Sequence, residues 1–251
     1  MKSLLGENEL HPAHVIHEHG TSPIVLICEH ASNIIPERLG TLGLKHEDLQ
    51  RHIAYDIGAG GVSRLLSKLL DAPLVLQRYS RLAYDCNRSP EHPGAMPELS
   101  EIFEIPGNRN LSADAKLARI AALYRPFHEE TAKLLDRRAA HNKHTMVVTI
   151  HSFTKTYQGK TRDVEIGLLF DRDARMANAL VKSFPGFDTR LNEPYSARDG
   201  VMHTANLHAA SRGLPNIMIE VRNDLIATER GQQEWAQRLS VPLNQLAAKG
   251  V

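Results

Sequence analysis

Short apolar runs alternate along the chain with longer stretches in which apolar residues recur at helical spacing. The runs are rich in β-branched residues and end at loop residues, which predicts strands that are buried in a sheet. Six strands are predicted, at residues 24–28, 74–77, 82–86, 146–150, 164–170 and 216–221. Six helices are predicted, at residues 46–57, 61–70, 112–140, 172–183, 202–211 and 228–248.

Local signals mark the ends of several of these elements. Ser112 is a favourable residue to begin the longest helix, with Asp114 in its first turn, and Pro126 should kink that helix. Gly213 is placed to cap the helix at 202–211. Residues 1–22 are predicted to be an irregular leader, 31–45 a loop with a short helical turn, and 89–110 and 155–162 polar loops.

Strands that alternate with helices predict an α/β sandwich. The chain of 251 residues contains no internal repeat, low-complexity tract or linker, so a single domain over residues 1–251 is expected.

Composition narrows the class of protein. Hydrophobic residues make up 42% of the chain and charged residues 24%, which is ordinary for a globular protein. A net charge of +1 gives no electrostatic basis for binding nucleic acid or an anionic membrane. No apolar stretch approaches the roughly 20 residues that span a bilayer, and no secretory signal is apparent at the N-terminus. Cys28 and Cys86 are expected to be buried, reduced thiols, which predicts a cytoplasmic protein.

Polar residues follow three of the predicted strands. Glu29 and His30 come after the first strand, His151 and Ser152 after the strand at 146–150, and Glu220 ends the last apolar run. In open α/β sheets, ligands bind outside the carboxyl ends of the strands. The sequence therefore predicts one converging polar site, of a composition that suits a metal-assisted hydrolase.

Catalytic zinc sites usually combine three nitrogen or oxygen ligands from the protein with a water. One histidine at a strand end is more often a hydrogen-bonding residue, but His30 and His151 together favour a metal. Three acids compete to be the third ligand. Asp56 ranks first, while Glu29 is the reserve, because neighbours on an extended strand point to opposite faces. Glu220 approaches from a different strand and is better suited to be a general base.

A second polar group follows the predicted strand at 74–77. Alternation places Arg81, Asp85 and Asn87 on one face of the predicted strand at 82–86, and Arg88 comes next. Arginine binds carboxylates with two parallel hydrogen bonds, so the Asn-Arg pair could bind an acidic substrate. The alternative is a solvated strand edge or a structural Arg88–Asp85 pair.

Five short motifs in this order resemble the N-formylglutamate amidohydrolase family. They are His-Ala-Ser-Asn-x-x-Pro at 30–36, the predicted helix bearing Asp56, Arg81 with Asp-Cys-Asn-Arg at 85–88, His151-Ser152, and Ile-Glu-Val-Arg-Asn at 219–223. In that family the first motif reads Pro-His-Ser-Gly, whereas this chain has Glu-His-Ala-Ser at 29–32. The resemblance covers roughly residues 24–228.

The resemblance implies a zinc-dependent amidohydrolase with a fold similar to the zinc carboxypeptidases. That fold is a three-layer sandwich of the zinc-exopeptidase, phosphorylase/hydrolase-like type, in which helices flank a mixed central sheet. The implied reaction is hydrolysis of N-formyl-L-glutamate to formate and glutamate, a step associated with histidine degradation.

The resemblance also implies roles for individual residues. His30, Asp56 and His151 would hold Zn²⁺ or another divalent metal, and Glu220 would be the acid/base. The substrate-binding candidates are Arg81, Asn87, Arg88, Ser152 and Arg222. The expected partner is a small acidic molecule, and the sequence makes no prediction of oligomeric state.

Two alternatives stay open at this point. The first is a zinc hydrolase that acts on another N-acyl amino acid or a small peptide. The second is a catalytically silent module that keeps the fold and binds an acidic metabolite.

Overall fold

A computed structural model describes residues 3–250, so Met1 and Lys2 of the predicted leader lie outside the described residues. The described residues form eleven strands and six α-helices. In chain order they are β1 (Ala13–Ile16), β2 (Ile24–Cys28), α1 (Ala59–Leu70), β3 (Leu74–Gln77), β4 (Leu99–Ser100), β5 (Phe103–Glu104), α2 (Ala113–Arg119), α3 (Arg125–Ala140), β6 (Met146–Phe153), β7 (Thr156–Tyr157), β8 (Lys160–Thr161), β9 (Ile166–Leu169), α4 (Arg175–Leu180), β10 (Thr189–Leu191), α5 (His203–His208), β11 (Asn216–Arg222) and α6 (Glu229–Lys249).

Seven strands form the central sheet, in the order β1-β3-β2-β6-β11-β9-β10. The four strands β3, β2, β6 and β11 are parallel, so their carboxyl ends meet at one edge. β1 is antiparallel to β3, and β9 is antiparallel to β11. The sheet is therefore mixed, as predicted. The remaining strands pair as two hairpins, β4-β5 and β7-β8.

Helices cover both faces of the sheet and bury alternate residues of each strand. On one face, α1 and α6 pack against Ile24, Leu26 and their neighbours, with Trp235 at the centre of the helical layer. On the other face, α3 packs Phe127 against Val25 and Ile27. Because β2 is buried on both sides, its sequence is continuously apolar. The three-layer α/β prediction is confirmed.

The predicted strand at 82–86 is wrong, because this segment forms consecutive turns. Side chains take the hydrogen bonds that a neighbouring strand would make. The Ser80 hydroxyl accepts from the Leu82 amide at 3.1 Å, and Asp85 Oδ1 accepts from the Asn87 amide at 2.9 Å. The turns direct Asp85 and Asn87 toward the sheet edge instead of along a strand face.

The predicted helix at 46–57 is also wrong. A single 3₁₀ turn, Asp48–Gln50, is followed by turns that end at Gly58, where φ is +82°. A side chain at Gly58 would place its Cβ 2.1 Å from the carbonyl oxygen of Ile226, so the close approach requires glycine. Asp56 consequently lies in the turn before α1, and its amide donates to the His30 carbonyl at 2.9 Å.

The long helix predicted at 112–140 is interrupted. Ser112 caps α2 as expected, and a π-helical turn, Ile120–Tyr124, joins α2 to α3. Pro126 lies in the first turn of α3. Proline has no amide hydrogen and crowds the preceding turn, which accounts for the wider turn just before it. Gly213, with φ of +68°, ends the predicted helix at 202–211, observed as α5 and a 3₁₀ turn.

Several segments predicted to be irregular contain strands. The leader contributes the edge strand β1, the loop at 89–110 contains β4-β5 and two 3₁₀ turns, and the loop at 155–162 is the β7-β8 hairpin. The edge strand β10 is not predicted by the sequence. The 3₁₀ turn expected within 31–45 is present at Glu37–Leu39. None of the helices that the structure describes is long and apolar enough to cross a membrane.

Candidate functional site

A cavity of about 440 Å³ opens at the carboxyl edge of the parallel strands. Its walls bring together most of the residues that the sequence singles out: His30, Asp56, Arg81, Asp85, Asn87, Arg88, His151, Ser152 and Glu220. These residues are spread over almost 200 positions of the sequence. They lie side by side because strands β2, β6 and β11 are neighbours in the sheet.

Strand register positions the innermost side chains. His151 on β6 and Glu220 on β11 are paired residues of adjacent parallel strands, so their side chains project together from the same face. β2 ends at Cys28, and Glu29 and His30 lie in the turn that follows. Because the strand has ended, Glu29 and His30 both lie near His151.

Asp56 is the centre of the polar cluster. Its Oδ2 lies 2.9 Å from His151 Nδ1 and 3.3 Å from His30 Nδ1, and it accepts from the Ser152 amide at 3.2 Å. Its Oδ1 accepts from Arg81 Nη1 at 2.9 Å. The carboxylate is buried, and these four contacts hold both of its oxygens in place.

Each histidine turns its other nitrogen to a second carboxylate. His30 Nε2 lies 2.7 Å from Asp85 Oδ1, and His151 Nε2 lies 3.0 Å from Glu29 Oε2. Both imidazoles thus present Nδ1 to Asp56 and Nε2 to an outer acid. Metal-binding histidines characteristically have such an outer carboxylate, which fixes the ring orientation and the tautomer.

The cluster is strongly polarised. Burial disfavours charge on His30 and His151, but the carboxylates around them raise the pKa of both imidazoles, that of His151 well above its usual range. Burial also disfavours the Asp56 carboxylate, yet positive charge on His30 and hydrogen bonds from both histidines hold the pKa of Asp56 well below its usual range. The buried acids therefore require compensating positive charge, which protons or a metal cation can supply.

The inner donor atoms fit a metal ion. One ligand atom each from His30, Asp56 and His151 lie within 4.8 Å of one another, and all three residues are buried. Two imidazole nitrogens and one carboxylate oxygen match the donor set of a catalytic zinc site, in which a fourth position remains open. Glu29, the reserve ligand, lies behind His151 and outside this set.

Glu220 occupies the cavity wall beside the donor cluster. The residue is buried, and its Oε2 has no hydrogen-bond partner among residues 3–250. Burial raises the pKa of Glu220 to about 7, although the positive charge on His151 opposes the shift. A carboxyl group with a pKa near neutrality beside the cluster of His30, Asp56 and His151 can accept and donate a proton at neutral pH.

Four of the five substrate-binding candidates line the cavity. Asn87 Oδ1 accepts from the Thr204 amide at 3.0 Å, and Arg88 donates through Nη1 to the carbonyl of Gly200. These contacts fix the Asn-Arg pair against the start of α5. Arg81 lines the same cavity, but its Nη1 is already engaged by Asp56. Ser152 also lines the cavity, with its hydroxyl donating to the Ile57 carbonyl at 2.9 Å.

Arg222 was predicted to bind substrate, but the structure places it away from the cavity. It is not among the residues that line the cavity, and each nitrogen of its guanidinium has a partner elsewhere: Nε lies 2.8 Å from Asp224 Oδ1, Nη2 lies 3.3 Å from Glu165 Oε1, and Nη1 donates to the Asp163 carbonyl. Arg222 therefore braces the segment after β11 instead of facing a substrate. Alternation places it on the face of Glu220, but the strand ends there and the side chain turns away.

His52, Arg162 and Tyr195 are among the cavity residues that were not predicted. His52 lies with Nδ1 3.9 Å from Asp56 Oδ1, and burial lowers its pKa to about 4. Arg162 and Tyr195 form part of the wall above Glu220. Neither Arg162 nor Tyr195 follows a predicted buried strand, so the strand-end pattern could not find them. The sequence offered one signal for Arg162: it ends the polar loop at 155–162, shortly before the apolar run at 164–170.

Comparisons with known proteins agree with this architecture. Residues 22–227 match the N-formylglutamate amidohydrolase family. The crystal structure of gene product Atu2144 from Agrobacterium tumefaciens is 46% identical, with a TM-score of 0.96 and coverage of 98% of both chains. N-formylglutamate amidohydrolase from Ralstonia eutropha JMP134 has the same fold, with a TM-score of 0.69 over 96% of this chain and 100% of that chain, at 17% identity. No curated protein matches the chain.

Proposed function

Because the chain belongs to the N-formylglutamate amidohydrolase family, we propose that it is a metal-dependent enzyme that hydrolyses an N-formyl amino acid. N-formyl-L-glutamate is the proposed substrate, and formate and glutamate are the products. The single observation that carries the metal dependence is the buried set His30, Asp56 and His151, with both Nδ1 atoms directed to one carboxylate.

The three residues would hold a zinc ion, with His30 and His151 as nitrogen ligands and Asp56 as the oxygen ligand. Bound zinc would supply a water of lowered pKa and a positive charge beside the acyl carbonyl. Asp85 would orient His30, because it lies 2.7 Å from the nitrogen that faces away from Asp56.

Glu220 would move the proton. Its unpartnered Oε2 and its pKa of about 7 suit a base that takes a proton during attack on the carbonyl. The same carboxyl would then deliver the proton to the departing amine, which cannot leave as an anion. Positive charge on Arg81, which lies against Asp56 on the cavity wall, would stabilise the oxygen that gains negative charge.

Arg88 and Asn87 would bind a carboxylate of the substrate. Arg88 is fixed by the Gly200 carbonyl and Asn87 by the Thr204 amide, so the pair is held in place before the substrate arrives. A carboxylate anchored there would align the amide with Glu220 and the donor cluster, which is the contribution that binding at a distance makes to catalysis.

The test is the metal content of the purified protein and of two variants, His30→Ala and His151→Ala. The proposal predicts one zinc per chain in the native protein and its loss in both variants, with the fold retained by circular dichroism. If the native protein binds no metal after incubation with zinc, the metal-dependent reaction is excluded and a silent binding module becomes the better account.

A further inference from the structure

Arg162 follows β8 directly and lies at the base of the β7-β8 hairpin, on the wall of the cavity that holds Glu220 and the histidines. Its Nη1 donates to the Tyr195 hydroxyl at 3.2 Å and to the Thr154 carbonyl at 3.4 Å. These two contacts fix the guanidinium without neutralising it.

Aromatic rings surround the Arg162 guanidinium. Its central carbon lies 4.6 Å from the ring centre of Tyr157, 4.9 Å from that of Tyr195 and 5.8 Å from that of Phe153. Stacked rings hold a guanidinium in position while its edge donors stay available. Within residues 3–250, no carboxylate lies within 4.0 Å of Arg162, unlike Arg81, which is paired with Asp56. Arg162 is thus a positioned cation with donors left for an anion.

The other charges of the cavity restrict where a second anionic group of a substrate could bind. Glu101 and Asp199 line the cavity, and Asp199 immediately precedes Gly200, the residue that holds Arg88. Arg88 can offset this negative charge for one carboxylate, but a second carboxylate beside the same acids would be repelled. The wall formed by Arg162, Tyr157 and Tyr195 carries positive charge and hydroxyl groups instead.

We propose that Arg162 binds the side-chain carboxylate of a dicarboxylic N-formyl amino acid, while Arg88 binds the other carboxylate. The inference rests on the proposed function and adds to it a specificity-determining residue: Arg162 is the group that makes the enzyme favour N-formyl-L-glutamate over a neutral N-formyl amino acid.

The experiment compares N-formyl-L-glutamate with N-formyl-L-glutamine, which has nearly the same shape but no side-chain charge. A charge-assisted hydrogen bond is worth about 1.5–3 kcal/mol, so the native enzyme should favour the glutamate substrate by about 10- to 100-fold in kcat/KM. Arg162→Gln should lose that preference, mainly through a higher KM for the glutamate substrate, and should keep its kcat/KM for the glutamine substrate. Lys160→Gln is the matched control, since it removes a positive charge from an exposed position of the same hairpin.

Two results would overturn the inference. An equal loss of kcat/KM on both substrates in Arg162→Gln would assign Arg162 a purely structural role in the hairpin. Equal turnover of both substrates by the native enzyme would show that no selectivity exists.

If the native enzyme hydrolyses neither substrate, the proposed function fails. Calorimetric measurement of substrate binding then decides whether Arg162 binds an anion. Preferential binding of the glutamate substrate that is lost in Arg162→Gln supports Arg162 as the anion site, and equal binding of both substrates contradicts it.

An independent observation concerns Glu29. The side chain is fully buried, and among the residues that the structure describes its two oxygens make no hydrogen bond of good geometry. His151 Nε2 lies 3.0 Å from Oε2, and the Thr204 side chain also stabilises the carboxylate. A buried carboxylate is costly unless a cation or a hydrogen-bond donor compensates it, and the His151 imidazole is placed to do so.

We infer that Glu29 is a positioning residue: it fixes the His151 ring with Nδ1 toward the donor cluster and is not itself a metal ligand. The distance pattern carries the inference, since Asp56 lies 2.9 Å from one nitrogen of His151 and Glu29 3.0 Å from the other. Partners of this kind change metal affinity by about 10- to 100-fold when they are removed.

The test is the zinc affinity of Glu29→Gln, measured by competition with a chelator, together with the absorption spectrum of the cobalt-substituted protein. We expect zinc affinity to fall about 10- to 100-fold while the metal content at saturating zinc stays the same. Thr149→Val is the matched control, because Thr149 is buried on β6 two residues before His151. If the Gln variant does not fold, Glu29→Leu serves the same purpose.

Native affinity and an unchanged cobalt spectrum in the folded Glu29 variant would overturn the inference. A folded variant that binds no metal at saturating zinc would also overturn it, because that result would make Glu29 a ligand.

Discussion

Replacing Glu220 by glutamine probes the proton-transfer step with almost no change in shape. The side chain is buried on β11 and its Oε2 has no partner among the described residues, so the substitution removes no hydrogen bond from that atom. A positioned acid/base contributes typically 10²- to 10⁴-fold, so kcat should fall by about that factor. Because Glu220 lies outside the donor set, metal content should not change.

The pKa of Glu220 also predicts how kcat/KM depends on pH. Burial raises the pKa of Glu220 to about 7. The carboxylate is the form that accepts a proton, and it is present above the pKa and lost as pH falls through it. In the native enzyme kcat/KM should therefore fall about tenfold per pH unit below about 7 and level off above it. Glu220→Gln should lack this acidic limb.

Formate release from N-formyl-L-glutamate, followed between pH 5.5 and 9, is the assay. Met218→Leu is the matched control, since Met218 is buried two residues earlier on the same strand. A Glu220→Gln variant that keeps full turnover, or that keeps the acidic limb of the native profile, would refute the acid/base role.

Three further predictions concern stability. Burial lowers the pKa of His128 from 6.5 to about 3, so below pH 6.5 the unfolded chain binds a proton that the folded protein excludes. The melting temperature should therefore fall as pH falls from 6.5 toward 3, and it should fall less in His128→Gln. Gly167→Ala should destabilise the protein by about 1–3 kcal/mol in denaturant unfolding, because the added Cβ would lie 2.1 Å from the Glu193 carbonyl oxygen. Arg119→Met should cost about 1–3 kcal/mol and speed hydrogen exchange in residues 89–110, because it leaves the buried Asn108 side chain without a donor that lies 2.6 Å away.

Buried strands were the part of the fold that the sequence predicted best. β2 and β3 have the predicted bounds, because a strand covered on both faces is a continuous apolar run with clear ends. The edge strands β1 and β10 were not predicted. Each is short and only partly buried, so hydrogen bonding to a neighbouring strand determines it more than its own pattern does.

Turn chemistry explains the wrong elements. Residues 82–86 alternate like a strand, but Ser80 and Asp85 supply the hydrogen bonds that turn the chain instead. Residues 46–57 have helical spacing, but they form turns instead, and these turns bring Gly58 into close contact with the backbone of Ile226. Contacts of this kind join residues that are far apart in sequence, so they cannot be predicted from the local hydrophobic periodicity.

The candidate site was predictable where it follows buried strands. His30, His151 and Glu220 were identified because each ends an apolar run, and strand order then brings them to one cavity. Glu29 was ranked as a reserve ligand, but the structure places it against the far nitrogen of His151. Arg162 comes from a hairpin, where no strand-end signal exists.

The most direct test of the central claim is formate release from N-formyl-L-glutamate before and after removal of bound metal with a chelator. We expect turnover by the native protein, loss of turnover in the metal-free protein, and recovery when zinc is added back. Formate release that continues unchanged in protein shown to be metal-free would contradict metal dependence, and no formate release by zinc-loaded protein would contradict the proposed reaction itself.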